Sequence, residues 1–199
     1  SLTKAQFFNK LKQNRDTFFN TNFDTYNHTN NLLEFTTDNK YNKLWFDIDL
    51  IKIEIADLQL ALIEFFDLID ETMGKKLNRK SYLIYYKQIP NTTFTHSLRI
   101  MNWFYKISYD DNANLSQELL QHSVKSVLAK HIDKTTSIYH KHRQIQLPYN
   151  SKILSGKYES NKILFKKLKS TDSNSHIFVD YNFNDKNINK QQTSNSEKY

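Results

Sequence analysis

Apolar and polar positions alternate along residues 44–50, which read Leu-Trp-Phe-Asp-Ile-Asp-Leu, and this alternation predicts a β-strand. Successive side chains of a strand point to opposite faces, so Asp47 and Asp49 project from one face while the apolar residues beside them anchor the other. Two carboxylates on one face of a buried strand repel each other and lose hydration unless a positive charge lies between them. A divalent metal ion would supply that charge. A strand whose acids simply face water explains the same pattern without a metal.

Helical periodicity predicts amphipathic helices over residues 3–20 and 55–73. The second helix is the clearer one, because it ends at Gly74 and presents one apolar face made of Leu58, Leu62, Phe65, Phe66 and Ile69. A third helix is predicted from about Leu115 to His131, after a capping turn over residues 110–114.

Further strands are predicted over residues 81–88, 96–108, 143–147 and 176–181. Because strands and helices alternate without regular strand–helix–strand units, we expect an α+β domain with a mixed or antiparallel sheet flanked by helices. Residues 1–40 are predicted to form an N-terminal helical extension, residues 41–181 the main domain, and residues 182–199 a mobile polar tail.

Composition limits the classes of function. The 199 residues suit one domain and include no cysteine, which excludes disulfides, cysteine-ligated zinc, iron–sulfur clusters and thiol catalysis. No apolar stretch approaches the roughly 18 residues of a membrane span. We therefore expect an intracellular protein, in the cytoplasm or the nucleus, with no membrane partner.

Positive charge is concentrated in one segment. The formal net charge is +7, and residues 125–169 contain eleven Lys or Arg against two acids, Asp133 and Glu159. Aromatic residues are interleaved with these cations, as in proteins that bind the nucleic-acid backbone or polyphosphates. A Lys-rich face that only keeps the protein soluble is the alternative.

The order of these motifs resembles the archaeo-eukaryotic primase family, and most closely the primase modules of large DNA viruses and mobile elements. These include poxvirus-type primase-helicases, the baculovirus-type small primase subunit and PrimPol enzymes. The resemblance runs from about Leu44 to Lys152: an Asp-x-Asp strand, a helix, a strand with Ser-x-basic, a helix, and then Ile-Tyr-x-Lys-x-Arg with a lysine thirteen residues after the tyrosine. It implies a primase catalytic core built on an RRM-like sheet.

The resemblance also implies the roles of individual residues. Asp47 and Asp49 match the strand that binds catalytic Mg²⁺ or Mn²⁺, with Asp133 as the nearest acid to the family's third ligand. That ligand normally lies four residues before the tyrosine, where this chain has Thr135. The residues that match the nucleotide-binding positions are Ser97, Arg99, Arg143 and Lys152.

Two further departures affect the triphosphate pocket that the resemblance implies. Arg99 replaces the family's histidine, and a guanidinium group can hold phosphate through two parallel hydrogen bonds. Gln146 replaces a second arginine, so one cation is missing.

The function implied is that of a primase or primase-polymerase, which transfers NTPs or dNTPs on a single-stranded DNA template, assisted by a replicative helicase or a second primase subunit. Two alternatives stay open. One is a catalytically degenerate module of the same fold that binds DNA or assembles with a helicase. The other is a different metal-dependent nuclease with a paired-aspartate strand, although this leaves the Lys152 block unexplained.

Overall fold

The computed structural model describes residues 6, 9–10, 12–13, 33–36, 40–88, 95–134, 136–146, 151–154, 157–160 and 162–164. Within these residues the fold is α+β, as the sequence predicts, with antiparallel sheets and two α-helices between residues 40 and 134. The predicted strand over 176–181 and the predicted polar tail lie outside the described residues. Of the predicted helix over 3–20, residues 6, 9–10 and 12–13 are described and are helical.

The elements follow one another along the chain in an alternating order. They are β1 (Leu33–Phe35), β2 (Tyr41–Lys52), α1 (Ile55–Met73), β3 (Tyr82–Gln88), β4 (Thr95–Ser108), α2 (Tyr109–Gln121), β5 (Gln144–Gln146), β6 (Ser151–Leu154), β7 (Lys157–Ser160) and β8 (Lys162–Leu164). The main sheet has the order β2-β4-β3-β8, and every pairing in it is antiparallel. Two small ribbons, β1 with β5 and β6 with β7, complete the described strands.

The two faces of the main sheet bury different sets of residues. Leu44, Phe46 and Ile48 of β2 are fully buried on the face that packs against α1 and α2. Trp45 is buried in a second cluster, together with Leu83, Tyr85, Met101, Tyr139 and Ile145. The alternation in the sequence therefore corresponds to two covered faces, with Asp47 on the side of the second cluster.

Helix α1 confirms the prediction from periodicity. Its five predicted inner residues are all buried, and Phe65 packs edge-to-face on Phe46 with ring centroids 5.4 Å apart. Gly74 ends the helix in the left-handed conformation (φ 66°), and its N–H faces the carbonyls of Asp70 and Glu71. A residue with a Cβ atom would be strained at this φ.

The predicted position of the third helix is wrong. Helix α2 begins at Tyr109, so the residues expected to form a turn before it, 110–114, are helical. The physical reason is an N-cap: the Ser108 hydroxyl accepts a hydrogen bond from the Asp111 N–H at 3.1 Å, and Asp110 and Asp111 stabilise the positive end of the helix. The helix ends at Gln121, ten residues early, and a 3₁₀ turn over Ala129–His131 follows.

The outer edge of β2 is closed by groups from downstream segments. Buried Asn112 of α2 accepts a hydrogen bond from the Trp45 N–H at 3.0 Å and donates one to the Trp45 carbonyl at 2.9 Å. One step along, the Asp47 N–H donates to the Tyr139 hydroxyl (3.3 Å), and the Asp47 carbonyl accepts from the Asp133 N–H (2.9 Å). The backbone of β2 is thus satisfied here without another long strand.

The segment after α2 runs antiparallel to β2 at this edge. Ile132 and Ile48 form a bridge pair, and the His131 Nδ1 atom lies 3.1 Å from the Asp49 carbonyl oxygen. Further on, β5 pairs with β1 rather than with the main sheet, and Thr36 holds this ribbon through hydrogen bonds with His142 and Arg143. In the described part of the chain, no helix combines the length and apolar character that crossing a membrane requires.

We predict that Asn112→Ala lowers the free energy of unfolding by about 2 kcal/mol, because the Trp45 N–H and carbonyl lose buried partners. Urea denaturation monitored by circular dichroism measures this change. The matched control is Asn114→Ala, an exposed position of the same helix. Equal stability of the two variants would contradict the role given to Asn112.

Candidate functional site

An ion pair between Asp47 and Arg99 occupies the centre of the sheet face that carries the aspartates. The two residues are directly opposite each other on β2 and β4. Arg99 Nε donates to Asp47 Oδ1 at 3.3 Å, and Arg99 Nη2 donates to Oδ2 at 3.2 Å. The backbone groups of Asp47 face the other edge, so this is a non-hydrogen-bonded cross-strand pair, the kind in which side chains come closest.

Burial strengthens this pair. The Arg99 side chain is 14% exposed and that of Asp47 26% exposed, so water screens their attraction less than at an open surface. The guanidinium group also lies over the Trp45 ring, 5.2 Å from its centroid. Trp45 in turn packs edge-on against Tyr139, with ring centroids 4.9 Å apart. Arg99 therefore packs on an aromatic cluster formed by Trp45 and Tyr139.

Asp133 lies directly beside Asp47. Its N–H donates to the Asp47 carbonyl, and the antiparallel bridge at Ile48 and Ile132 makes Asp133 the cross-strand neighbour of Asp47. Asp133 lies six residues before Tyr139, two more than the family's third acid, and a 3₁₀ turn over Thr136–Tyr139 forms part of the connection. The chain thus brings the displaced acid to the aspartate strand; Thr135, the position of the family's third acid, lies outside the described residues.

The side chain of Tyr139 is buried beside the strand that carries Asp47. Burial raises the pKa of its phenol strongly, hydrogen bonds with Ser116 and with the Asp47 backbone lower it, and the negative charges of Asp47 and Asp133 raise it by smaller amounts. The phenol therefore stays protonated in neutral solution and holds the Asp47 backbone as a neutral group.

The other predicted positions on β2 and β4 lie next to the pair. Asp49 is exposed, and the register of β2 against β4 shifts between Ile48 and Ile51, so a bulge begins where Asp49 stands. Strict alternation no longer determines where its carboxylate points, because bulges redirect side chains. Ser97 is two residues before Arg99 on β4 and partly exposed, which places it on the same strand face.

For the basic residues further along the chain, Arg143 and Lys152, the structure gives the element but no contact with the Asp47–Arg99 pair among the described residues. Arg143 is exposed at the start of β5, and its backbone N–H donates to the Thr36 hydroxyl at 2.8 Å. Ile145, two residues later, belongs to the same apolar cluster as Trp45 and Tyr139, so β5 covers the face that carries Asp47. Lys152 lies in β6, and Gln146 ends β5; the side chains of both are outside the described part of the structure.

The fit of a divalent metal to this arrangement is incomplete. Carboxylate oxygens are the ligands that Mg²⁺ and Mn²⁺ prefer. However, among the residues that the structure describes, no three His, Cys, Asp or Glu side chains come close enough together to hold a metal ion. Arg99 bonds to both oxygens of Asp47 and supplies positive charge at that acid. As arranged here, Asp47 is the ion-pair partner of Arg99.

Two residues of this site were not identified from the sequence. Asn112 and Ser116 are polar positions, one helical turn apart, on the buried face of α2, and buried polar side chains need partners. That pattern was a usable signal. Tyr139 was recognised only as an aromatic residue in the basic segment, and no local pattern indicates that its hydroxyl reaches the strand of the aspartates.

Comparison of the chain with models of known protein families and with curated proteins finds no match. The assignment of a function therefore depends on the residues and their geometry.

We predict that Arg99→Gln raises the affinity of the protein for Mn²⁺ about tenfold or more, because it removes a cation that holds Asp47. Electron paramagnetic resonance of free Mn²⁺ measures the affinity directly. The gain should disappear when Asp133→Asn is added, since two neighbouring carboxylates are needed.

The matched control for this experiment is Arg79→Gln, because Arg79 also bonds to two acids, Asp67 and Asp70, at the end of α1. An equal rise in Mn²⁺ affinity in Arg99→Gln and Arg79→Gln, or no rise in either, would contradict the account of the site.

Proposed function

We propose that this chain is a primase-type nucleotidyltransferase domain, which joins NTPs or dNTPs on a single-stranded DNA template during replication of a virus or mobile element. The observation that carries the proposal is the position of Asp133. It hydrogen-bonds to the strand of Asp47 from one side, while β4, with Ser97 and Arg99, flanks that strand from the other. Acids and predicted phosphate ligands from three separate parts of the sequence thus meet on neighbouring strands.

The topology supports the same proposal. Strand, helix, strand, strand, helix and a final bridging segment follow in the order β2, α1, β3, β4, α2 and residues 131–133. In space, the bridging segment lies beside β2, followed by β4 and then β3. This is the connectivity of the ferredoxin-like β-α-β-β-α-β arrangement, on which an RRM-like sheet is built. This connectivity supports the proposal, because the resemblance to primases implies an RRM-like sheet.

The chemistry requires positive charge near the acids. Attack of a 3′-hydroxyl on an α-phosphate releases pyrophosphate, and the negative charge on these oxygens must be stabilised. We assign this role to Arg99, Arg143 and Lys152, with a hydrogen bond from Ser97. Mg²⁺ or Mn²⁺ belongs to the proposal as a cofactor of Asp47, Asp49 and Asp133, on condition that Arg99 releases Asp47.

The ion pair also favours a second candidate. If Arg99 remains on Asp47 when nucleotide is present, the acids stay neutralised by the protein's own cation. The domain would then be a catalytically degenerate module that binds DNA or assembles with a replication helicase. The observation that favours this candidate is that both oxygens of Asp47 bond to Arg99.

We predict that the intact protein extends primers, or starts them, on a single-stranded DNA template in the presence of Mn²⁺. The double variant Asp47→Asn, Asp49→Asn should lose this activity, because it removes two carboxylates while retaining the shape of both side chains. Gel analysis of labelled products measures the activity, and thermal melting shows whether the variant is folded. Absence of products from the intact protein, with DNA binding retained, would favour the degenerate module.

We further predict that Arg143→Ala and Lys152→Ala each weaken the binding of a nucleoside triphosphate by about fivefold to tenfold, since each removes a charge-assisted phosphate contact. Isothermal titration calorimetry with a non-hydrolysable triphosphate measures the affinity. Lys76→Ala, an exposed lysine in the turn after α1, is the charge-matched control. Affinities equal to that of the control would remove Arg143 and Lys152 from the proposed nucleotide site.

A further inference from the structure

A cleft of about 490 Å³ opens at the start of β2, away from the Asp47–Arg99 pair. We call it the edge cleft. It is lined by Lys40, Ser108, Tyr109, Asp110, His140 and Lys141. Lys40, His140 and Lys141 are exposed and come from two distant parts of the sequence. Its volume is within the range of ligand sites, and two lysines and a histidine contribute to its lining.

Tyr41 concentrates further positive charge beside the edge cleft. The Lys40 ammonium group lies 5.3 Å from the centroid of the Tyr41 ring, and that of Lys106 lies 4.2 Å from it. Cation–π attraction therefore holds two lysines against one ring. Two ammonium groups beside one ring create a local positive potential, which attracts anions. A phosphate group is such an anion.

The edge cleft and the Asp47–Arg99 pair are connected by β2 and by the segment that follows Tyr139. Within β2, the six steps from Tyr41 to Asp47 span about 20 Å at the rise of an extended strand. On the outer side, His140 directly follows Tyr139, whose hydroxyl accepts from the Asp47 N–H. Thr36 fixes the next residues through bonds with the backbone of His142 and Arg143. The same edge of the sheet thus connects the edge cleft with the Asp47–Arg99 pair.

An acid also lines the edge cleft. Asp110 contributes a carboxylate to the cleft at the beginning of α2. It opposes an anion at the helix end, so a phosphate group is expected on the side of Lys40 and Lys141. A neutral or cationic ligand would not use the lysines at all. The charge distribution therefore favours an extended polyanion over a small ligand held deep in the cleft.

We propose that the edge cleft binds the phosphate backbone of single-stranded nucleic acid and leads that strand towards Asp47. The direction of the strand rests on the proposed function, whereas binding by the cleft does not. Spaced cations along a groove are the general means by which proteins hold single strands without regard to sequence. Lys40, Lys106 and Lys141 contribute the charge, and Tyr41 positions the first two of them.

The test uses the full chain and a fluorescein-labelled single strand of 20 thymidines, with affinity measured by fluorescence anisotropy over a range of salt concentrations. The double variant Lys40→Ala, Lys141→Ala should bind about tenfold more weakly at low salt. Its slope of log affinity against log salt should fall by about 1.4, the value for two lost phosphate contacts. The control Lys76→Ala, Lys80→Ala removes the same charge from exposed positions near α1 and should bind almost as tightly as the intact protein.

Equal losses in the two double variants would overturn the proposal, because they would show an effect of net charge alone. Tighter binding of a duplex of the same length, with the same loss in the cleft variant, would also overturn it, since the site would then not be one for single strands. The measurement also separates this proposal from the enzymatic one, because it uses neither nucleotide nor metal. A protein without primase activity can therefore still pass or fail the test of the cleft.

Discussion

The closure of the outer edge of β2 is the constraint on which the rest of the structure depends. Strand β2 is the end strand of the main sheet, and the backbone groups on its open side need partners. Here those partners are the Asn112 amide, the Tyr139 hydroxyl and the Asp133 N–H. Because each comes from a segment after β4, satisfying the edge brings the downstream half of the chain against the aspartates. The same hydrogen bonds that complete the fold therefore assemble the candidate site.

The electrostatics of the site follow from this placement. Asp47 and Asp133 lie side by side over a buried phenol, and Arg99 is the cation that the geometry sets directly against Asp47. The guanidinium group is the counter-ion of Asp47, and the proposed function gives it a second, competing role as ligand of a phosphate. Under that proposal, a nucleotide that draws Arg99 away would leave two neighbouring carboxylates without their cation. The proposed enzyme and the proposed binding module differ in the outcome of this competition.

Local signals predicted much of the fold. The strand of the aspartates, helix α1 with its Gly74 end, and strands β3 and β4 all have strong periodicity and clear boundaries, and they were found. Helix α2 was misplaced because Asp110 and Asn114 resemble turn residues, whereas the Ser108 cap makes the same residues the first turn of a helix. The pairing of β5 with β1 joins two strands of three residues each, which carry too little pattern to specify a partner.

The candidate site was only partly accessible from the sequence, because it depends on register. Asp47 and Arg99 were each singled out, but their pairing requires β2 to lie beside β4 with these two residues opposite, and a one-residue slip would separate them. The position of Asp133 beside Asp47 likewise depends on tertiary structure, because it requires two segments far apart in the sequence to pair at Ile48 and Ile132. Motif order indicated which residues matter, and three-dimensional pairing determined which of them touch.

The central claim is that residues 131–133 lie antiparallel against β2 and so place the third acid beside the aspartate strand. The chain has no cysteine, so a single engineered disulfide reports on this geometry without interference. Ile48 and Ile132 are directly opposed, within the range of distances that a disulfide spans. The measurement is the yield of intramolecular disulfide on mild oxidation of the double variant Ile48→Cys, Ile132→Cys, quantified by mass spectrometry. The account predicts nearly complete bond formation with retained folding, and a much lower yield for Ile48→Cys, Val124→Cys. Equal yields for the two pairs, or no bond in the first, would contradict it.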